Sequence, residues 1–249
     1  MPVLSTRSAE ATEMSLLGHL GELRRRTMWS VAALLVAGVA VFLVFNHLLA
    51  VLLTPYCHVV GPHQACALYV TSPLDGLSIR VKVAAYGGAL VASPIVLWQA
   101  WQFVVPALTK RERSFVLPFV GCSVALFLAG AALAYLTFPH ALGWLHAIGG
   151  PSLTARYTPS SYLGLLVVMM AVFGLTFELP VVLVFLQLAR VVTPRQLARK
   201  RRYAMVALVA FAAIITPSSD PFSMLALALP LVVLYEGAIL VGRILAPKP

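Results

Sequence analysis

The sequence predicts an all-α, polytopic membrane protein: six transmembrane helices in one curved bundle, with both ends on the cytoplasmic side. Three observations predict it. Of 249 residues, 61% are hydrophobic and only 10% charged, far below the roughly 25% charged content of a soluble domain. Apolar runs of about 20 residues, enough at 1.5 Å per residue to cross about 30 Å of hydrocarbon, alternate with short polar connections. The basic residues gather on alternate connections, as topology signals do. A soluble chain of this length would need polar surface to cover its core, so lipid must supply the outer surface here.

Residues 1–26 read as a cytoplasmic segment. Residues 1–13 are polar, with Arg7, Glu10 and Glu13 and no apolar core, so they are not a cleavable signal peptide and the first span directs its own insertion. The spans fall near 28–53, 83–105, 115–138, 162–189, 203–215 and 222–245, within a single domain, 1–249. The fifth reaches only about 20 Å, a length that would also suit a re-entrant segment. Charge decides for a crossing. Arg199, Lys200, Arg201 and Arg202 precede the fifth run, and Arg243 and Lys248 follow or close the sixth. Both flanks want the same side, so the pair crosses twice and turns at 216–221. The fourth run, of nearly 30 residues, is too long for a perpendicular crossing; tilt or a bend at Pro180 fits it and curves the bundle. Pro94, Pro118, Pro180 and Pro230 stand inside spans, and each removes an amide hydrogen bond that neighbours must make good.

With this alternation one side collects 15 of the 18 Lys and Arg, and only Arg80, Lys82 and Arg156 fall opposite. Both termini are therefore expected in the cytoplasm, with the chain in the plasma or inner membrane. The net charge of +10 would suggest nucleic acid on a soluble protein. Beside apolar segments it serves topology and attracts anionic lipid headgroups, so no nucleic-acid partner is expected. The largest outer loops are 54–82 and 139–161, and no internal repeat is visible, which weighs against an inverted-repeat transporter.

Catalytic patterns are absent: no phosphate-binding glycine loop, HExxH, GxSxG or CxxC. The six histidines, His19, His47, His58, His63, His140 and His146, have no ligand spacing, so neither metal nor cofactor is expected. Cys122 lies in an apolar run and behaves as a small hydrophobe. Cys57 and Cys66 share a polar stretch with Gly61 and Pro62; facing an oxidising exterior they would either pair or remain two thiols.

The eight carboxylates carry more information. Glu22 and Glu112 sit in basic clusters close to the membrane, in His19-Leu-Gly-Glu22-Leu-Arg24-Arg-Arg26 and Lys110-Arg-Glu112-Arg113. The plainer reading is a local salt bridge, worth about 0 to 1 kcal/mol when exposed. The functional reading is a pair of carboxylates offered to a guanidinium, which they bind in a bidentate geometry that lysine reproduces poorly. Glu178 lies within a span, where a carboxylate costs about 2.5–3.5 kcal/mol or more unless neutralised, paired or hydrated. A hydrogen bond to a Thr or Ser of another helix would serve. For Asp220 in the outer turn a local turn-stabilising bond is the plainer reading; Pro55 and Asp75 are similarly ambiguous, and Glu236 needs a protein or interfacial-water partner.

These strings resemble a known family. The segment 19–26 fits H-L-x-E-L-R-x-R, and the chain is similar to TatC, the multispanning subunit of the twin-arginine protein translocase. Residues 93–108, from Ser93-Pro94 through Trp101, Phe103 and Pro106 to Leu108, resemble that family's second span, and Phe173-Gly-Leu-Thr-Phe177-Glu178-Leu-Pro180 its fourth. Thr216-Pro217-Ser-Ser-Asp220-Pro-Phe222-Ser resembles its last outer turn. Four motifs in the family's order are specific where one alone would not be.

The resemblance implies a cupped six-helix bundle that binds signal peptides bearing two consecutive arginines. With single-span partners of the TatA and TatB type it would export folded proteins on the proton-motive force, without enzymatic chemistry. Self-association is also expected. By resemblance Glu22 and Glu112 receive the guanidiniums, Arg24 shapes the site, and Phe103 and Leu108 flank it. Glu178, Thr216, Asp220, Ser223 and Pro55 belong to the cavity or partner interface, Glu178 as a contact for a polar residue of a partner's helix or as a protonation-sensitive element. One departure concerns the turn: T-P-S-S-D-P-F-S is followed by Met224 where the family often has a polar residue, which puts a side-chain amide contact there in doubt. Two other classes stay open on residues alone, a proton-coupled solute transporter built on Glu178 and a structural scaffold with expendable surface glutamates.

Overall fold

The computed structural model describes residues 6–60, 72–104, 116–149, 158–218 and 220–245. They form α1 (Thr6–Leu43), α2 (Phe45–Val60), α3 (Asp75–Val104), α4 (Val116–Gly149), α5 (Pro159–Thr176), α6 (Leu179–Leu188), α7 (Pro194–Arg199), α8 (Arg201–Ile215) and α9 (Pro221–Leu245), with no strand among the described residues. Five stretches are long and apolar enough to cross a membrane: Leu20–Leu43, Asp75–Phe103, Leu117–Ile148, Pro159–Leu188 and Pro221–Leu245. Phe45–Cys57 is a shorter apolar helix. The short run expected as the fifth span is α8, 15 residues or about 22 Å long.

The helices run past the expected apolar boundaries, because helical hydrogen bonding needs no apolar side chain to continue. α1 has 38 residues, about 57 Å, so it extends well beyond a hydrocarbon core. The first expected span, 28–53, is divided at Val44 between α1 and α2. α3 begins at Asp75, whose carboxylate accepts the Ser72 amide at 2.8 Å, and so takes up residues expected in an outer loop. Arg80 then lies 5.0 Å from the Phe45 ring centroid, and Lys82 donates to Ser160 Oγ on α5.

Two of the prolines inside helices are compensated locally. Pro55 in α2 has no amide for the Val51 carbonyl, and the Tyr135 hydroxyl of α4 donates to that carbonyl at 2.7 Å. Pro94 likewise leaves the Leu90 carbonyl open, and Ser93 Oγ donates to it at 2.7 Å. The fourth run does bend. α5 ends at Thr176 and α6 starts at Leu179, with Pro180 in the first turn of α6, where its missing amide costs least.

Packing follows small residues. A Cβ on Gly88 of α3 would stand 2.6 Å from the Gly38 Cα of α1, and one on Gly130 of α4 would stand 2.6 Å from the Phe173 carbonyl oxygen of α5. Without hydrophobic pressure between helices in lipid, such backbone approaches supply the dispersion contact that holds a bundle. The main core gathers Phe138, Tyr162, Leu166, Met169, Phe173, Leu227 and Leu231. Tyr162 packs edge-on to Tyr56 and Phe138, at 5.4 and 5.5 Å between ring centroids, and donates to the Leu52 carbonyl at 2.8 Å. Large apolar residues such as Leu35, Val36 and Ile214 stay exposed, as a lipid-facing surface requires.

Candidate functional site

Two polar clusters stand out from the apolar surroundings. The first joins α1 to the last turns of α3. Glu22 and Arg26 are one helical turn apart, the spacing at which a Glu preceding a cation pairs well. Arg26 Nη2 and Nε donate to Glu22 Oε1 at 2.5 and 3.1 Å. The same guanidinium reaches α3, where Nη1 donates to Gln99 Oε1 at 3.4 Å and Gln102 Oε1 at 3.5 Å. The Arg26 side chain is 14% exposed and that of Glu22 32%. Arg24 is exposed, and Phe103, half-buried, closes the same end of α3. Glu112 and Leu108 lie outside the described residues.

The second cluster is a part-buried chain across three segments. Trp101 of α3 donates from Nε1 to Ser123 Oγ of α4 at 2.7 Å. Ser123, fully buried, donates in turn to Glu178 Oε2 in the α5–α6 bend. A serine hydroxyl can accept and donate at once, which lets it relay between the indole and the carboxylate. Glu178 Oε1 is buried and has no hydrogen-bond partner among the described residues. Trp101 is wedged between Phe119 and Phe185, with ring centroids at 5.7 and 5.5 Å. Beside this cluster an apolar groove of about 340 Å³ runs between α4, α6 and α9, walled by Phe119, Cys122, Val181, Val184, Ala238 and Val241. Its walls offer no ionisable carboxylate, so the polar chemistry belongs to the two clusters.

The turn between α8 and α9 is organised by Asp220, which is 1% exposed. Its Oδ1 accepts the Ser223 amide at 2.7 Å and its Oδ2 accepts the Ser218 hydroxyl. With Pro221 opening the helix, Asp220 stands as the N-cap of α9. Thr216 Oγ1 is turned inward to the Ala212 carbonyl at 2.6 Å. Ser223 Oγ is buried without a hydrogen-bond partner among the described residues. Pro55 is buried inside α2. Cys57 is disulfide-bonded and Cys122 carries a free thiol; Cys66 lies outside the described residues. Glu236 meets Arg201 of α8: Nη2 donates to Oε2 at 2.7 Å, and Nε stands 2.6 Å from Oε1 as a charge contact without hydrogen-bond geometry, so the pair ties α8 to α9.

The basic cluster flags Glu22 for a local salt bridge, but Gln99, Gln102 and Ser123 carry no local signal. Each is a polar residue in or beside an apolar run, and only the approach of another helix gives it a task. Among the described residues no group of three or more His, Cys, Asp or Glu could hold a metal.

Residues 18–230 match the family described as TatC, Sec-independent protein translocase protein. A relative of that description from Frankia casuarinae is 39% identical over 246 residues, covering 95% of this chain and 68% of its own. One from Helicobacter pylori strain J99 is 35% identical over 232 residues, covering 93% and 90%. A crystal structure of a twin arginine translocase receptor, TatC, in the detergent DDM superposes with a TM-score of 0.73 at 34% identity, over 90% of this chain and 99% of that one. A second TatC receptor structure gives 0.69 at 36% identity.

Proposed function

Because the chain belongs to the TatC family of Sec-independent protein translocase proteins, we propose that it is the receptor core of a twin-arginine translocase, binding signal peptides that carry two consecutive arginines. A multi-pass component of a Tat membrane complex does its work by binding and rearrangement, not by covalent catalysis. The observation that carries the receptor reading is the first cluster. A carboxylate, Glu22, is paired with Arg26, whose guanidinium reaches Gln99 and Gln102 at the end of α3, the helix that leads into the segment bearing Glu112. Two carboxylates brought together there would suit two adjacent guanidiniums, with Arg24, Phe103 and Leu108 shaping the surroundings.

In this reading α8 is a full crossing, the chain spans the plasma membrane six times, and both termini are cytoplasmic, so the receptor site meets signal peptides before export. Single-span TatA- and TatB-type partners, further copies of this chain and the proton-motive force complete the transport cycle. Glu178, with one carboxylate oxygen buried and unpaired among the described residues, would accept a hydrogen bond from a polar residue of a partner's helix near the cavity of the bundle. Thr216, Asp220 and Ser223 support that interface by fixing the turn, and Pro55 by freeing the Val51 carbonyl that docks α4 on α2.

Photocrosslinking of a twin-arginine signal peptide to the membrane-embedded chain tests the receptor assignment. Glu22→Gln and Glu112→Gln should each remove most of the crosslink. An undiminished crosslink in both variants would remove the assignment.

A further inference from the structure

We propose that Arg26 is a resident guanidinium that occupies Glu22 until an arginine of the signal peptide displaces it. The inference rests on the receptor reading of Glu22 and adds what holds the site when no peptide is bound.

Arg26 presents the same chemical group as the ligand. Two of its nitrogens converge on a single oxygen of Glu22, at 2.5 and 3.1 Å, and its side chain is the more buried of the pair, at 14% against 32% exposed. A carboxylate already gripped by a guanidinium offers an incoming lysine little, because an ammonium is a point charge that cannot reproduce the fork. An incoming arginine can replace the resident one group for group. The exchange then cancels most of the cost of breaking the pair. Every ligand meets that same cost, so the resident arginine sets a threshold that the forked guanidinium repays and a point charge does not.

A displaced Arg26 needs somewhere to go, since a buried guanidinium without acceptors is strongly destabilising. Gln99 and Gln102 supply the place. Their amide oxygens face Nη1 at 3.4 and 3.5 Å, at the long edge of hydrogen bonding, and both would shorten if the guanidinium swung from α1 toward α3. They are spaced three residues apart on α3, so they lie on one face and receive one group together. Swinging Arg26 from α1 onto α3 also changes the contact between the two helices that carry, or lead to, the receptor carboxylates. Peptide binding would thereby be felt at the α1–α3 interface.

The test uses the full chain in detergent and a fluorescent twin-arginine signal peptide, with a twin-lysine peptide as comparison, read by anisotropy. Arg26→Lys keeps the charge but loses the fork. It should tighten twin-arginine binding by about three- to tenfold, the range expected for weakening a partly exposed ion pair. Binding of the twin-lysine peptide should tighten by a similar factor, because both peptides displace the same resident group. Arg26→Gln should tighten binding at least as much; should that variant not fold, Arg26→Lys carries the test alone. Weaker or unchanged binding in Arg26→Lys, with Glu22→Gln still losing the peptide, would overturn the displacement idea and leave the receptor reading intact, with Arg26 only positioning Glu22. Wild-type binding by Glu22→Gln would remove the receptor reading and this inference together.

Discussion

Ser123 is the buried residue on which the Trp101–Glu178 cluster turns. It has no charge and no motif, yet it satisfies Trp101 on one side and Glu178 on the other. Removing one hydroxyl would strand both partners, and an unsatisfied buried polar group costs about 1–3 kcal/mol, more if charged. Ser123→Ala is therefore expected to lower the thermal midpoint of the detergent-solubilised protein and to change the setting of Glu178 without touching it. Glu178→Ala should stop export of a folded twin-arginine reporter, while the chain still inserts and folds. Normal export by Glu178→Ala would exclude an essential role for the carboxylate. Pro55 shows how a residue can act through the group it leaves open: its missing amide exposes the Val51 carbonyl, and Tyr135 uses that carbonyl to dock α4 on α2.

At the level of elements, helix ends and crossings set the geometry. α6 closes in a Schellman motif: the Val191 amide reaches the Leu186 carbonyl at 3.0 Å and the Arg190 amide reaches Gln187 at 3.2 Å. Arg190 holds φ at 59°, in the left-handed region that glycine occupies without a Cβ penalty. Arg190→Gly should raise stability by about 0.5–1 kcal/mol, seen as a higher midpoint in thermal unfolding, since this exposed side chain accepts the left-handed turn only at that cost. The crossing of α1 and α3 has the opposite tolerance. Gly88→Leu would drive a side chain into the Gly38 backbone, and overpacking of this kind costs about 1–3 kcal/mol or more. The expected result is a lower midpoint together with weakened signal-peptide binding, because the Arg26 bridge to Gln99 and Gln102 spans the same two helices.

For the whole molecule the testable property is orientation. If both termini are cytoplasmic, a reporter active only in the cytoplasm should work when fused after Pro249 and fail when inserted in 139–161; the reverse pattern would invert the topology. Pairing of Cys57 with Cys66 belongs to the same question, since it needs an oxidising exterior. Thiol labelling should then modify both only after reduction, whereas equal labelling with and without reductant would rule the bridge out. The all-α membrane class, the short α8 and the bend near Pro180 were legible in the chain, because hydropathy, charge and proline act locally and leave their mark in consecutive residues. So was a local salt bridge for Glu22 within its basic cluster, while the structure decided that Arg26 is the partner. How far the helices continue was not legible: α1, α3 and α4 run through polar residues because backbone hydrogen bonds carry a helix past its apolar stretch. Only the tertiary structure decided that Glu178 meets Ser123, that Glu236 meets Arg201, and that Gln99 and Gln102 face Arg26. Each of these contacts joins residues 35 to 76 positions apart, and a polar side chain carries no record of its partner until two helices pack and exclude the water and lipid between them.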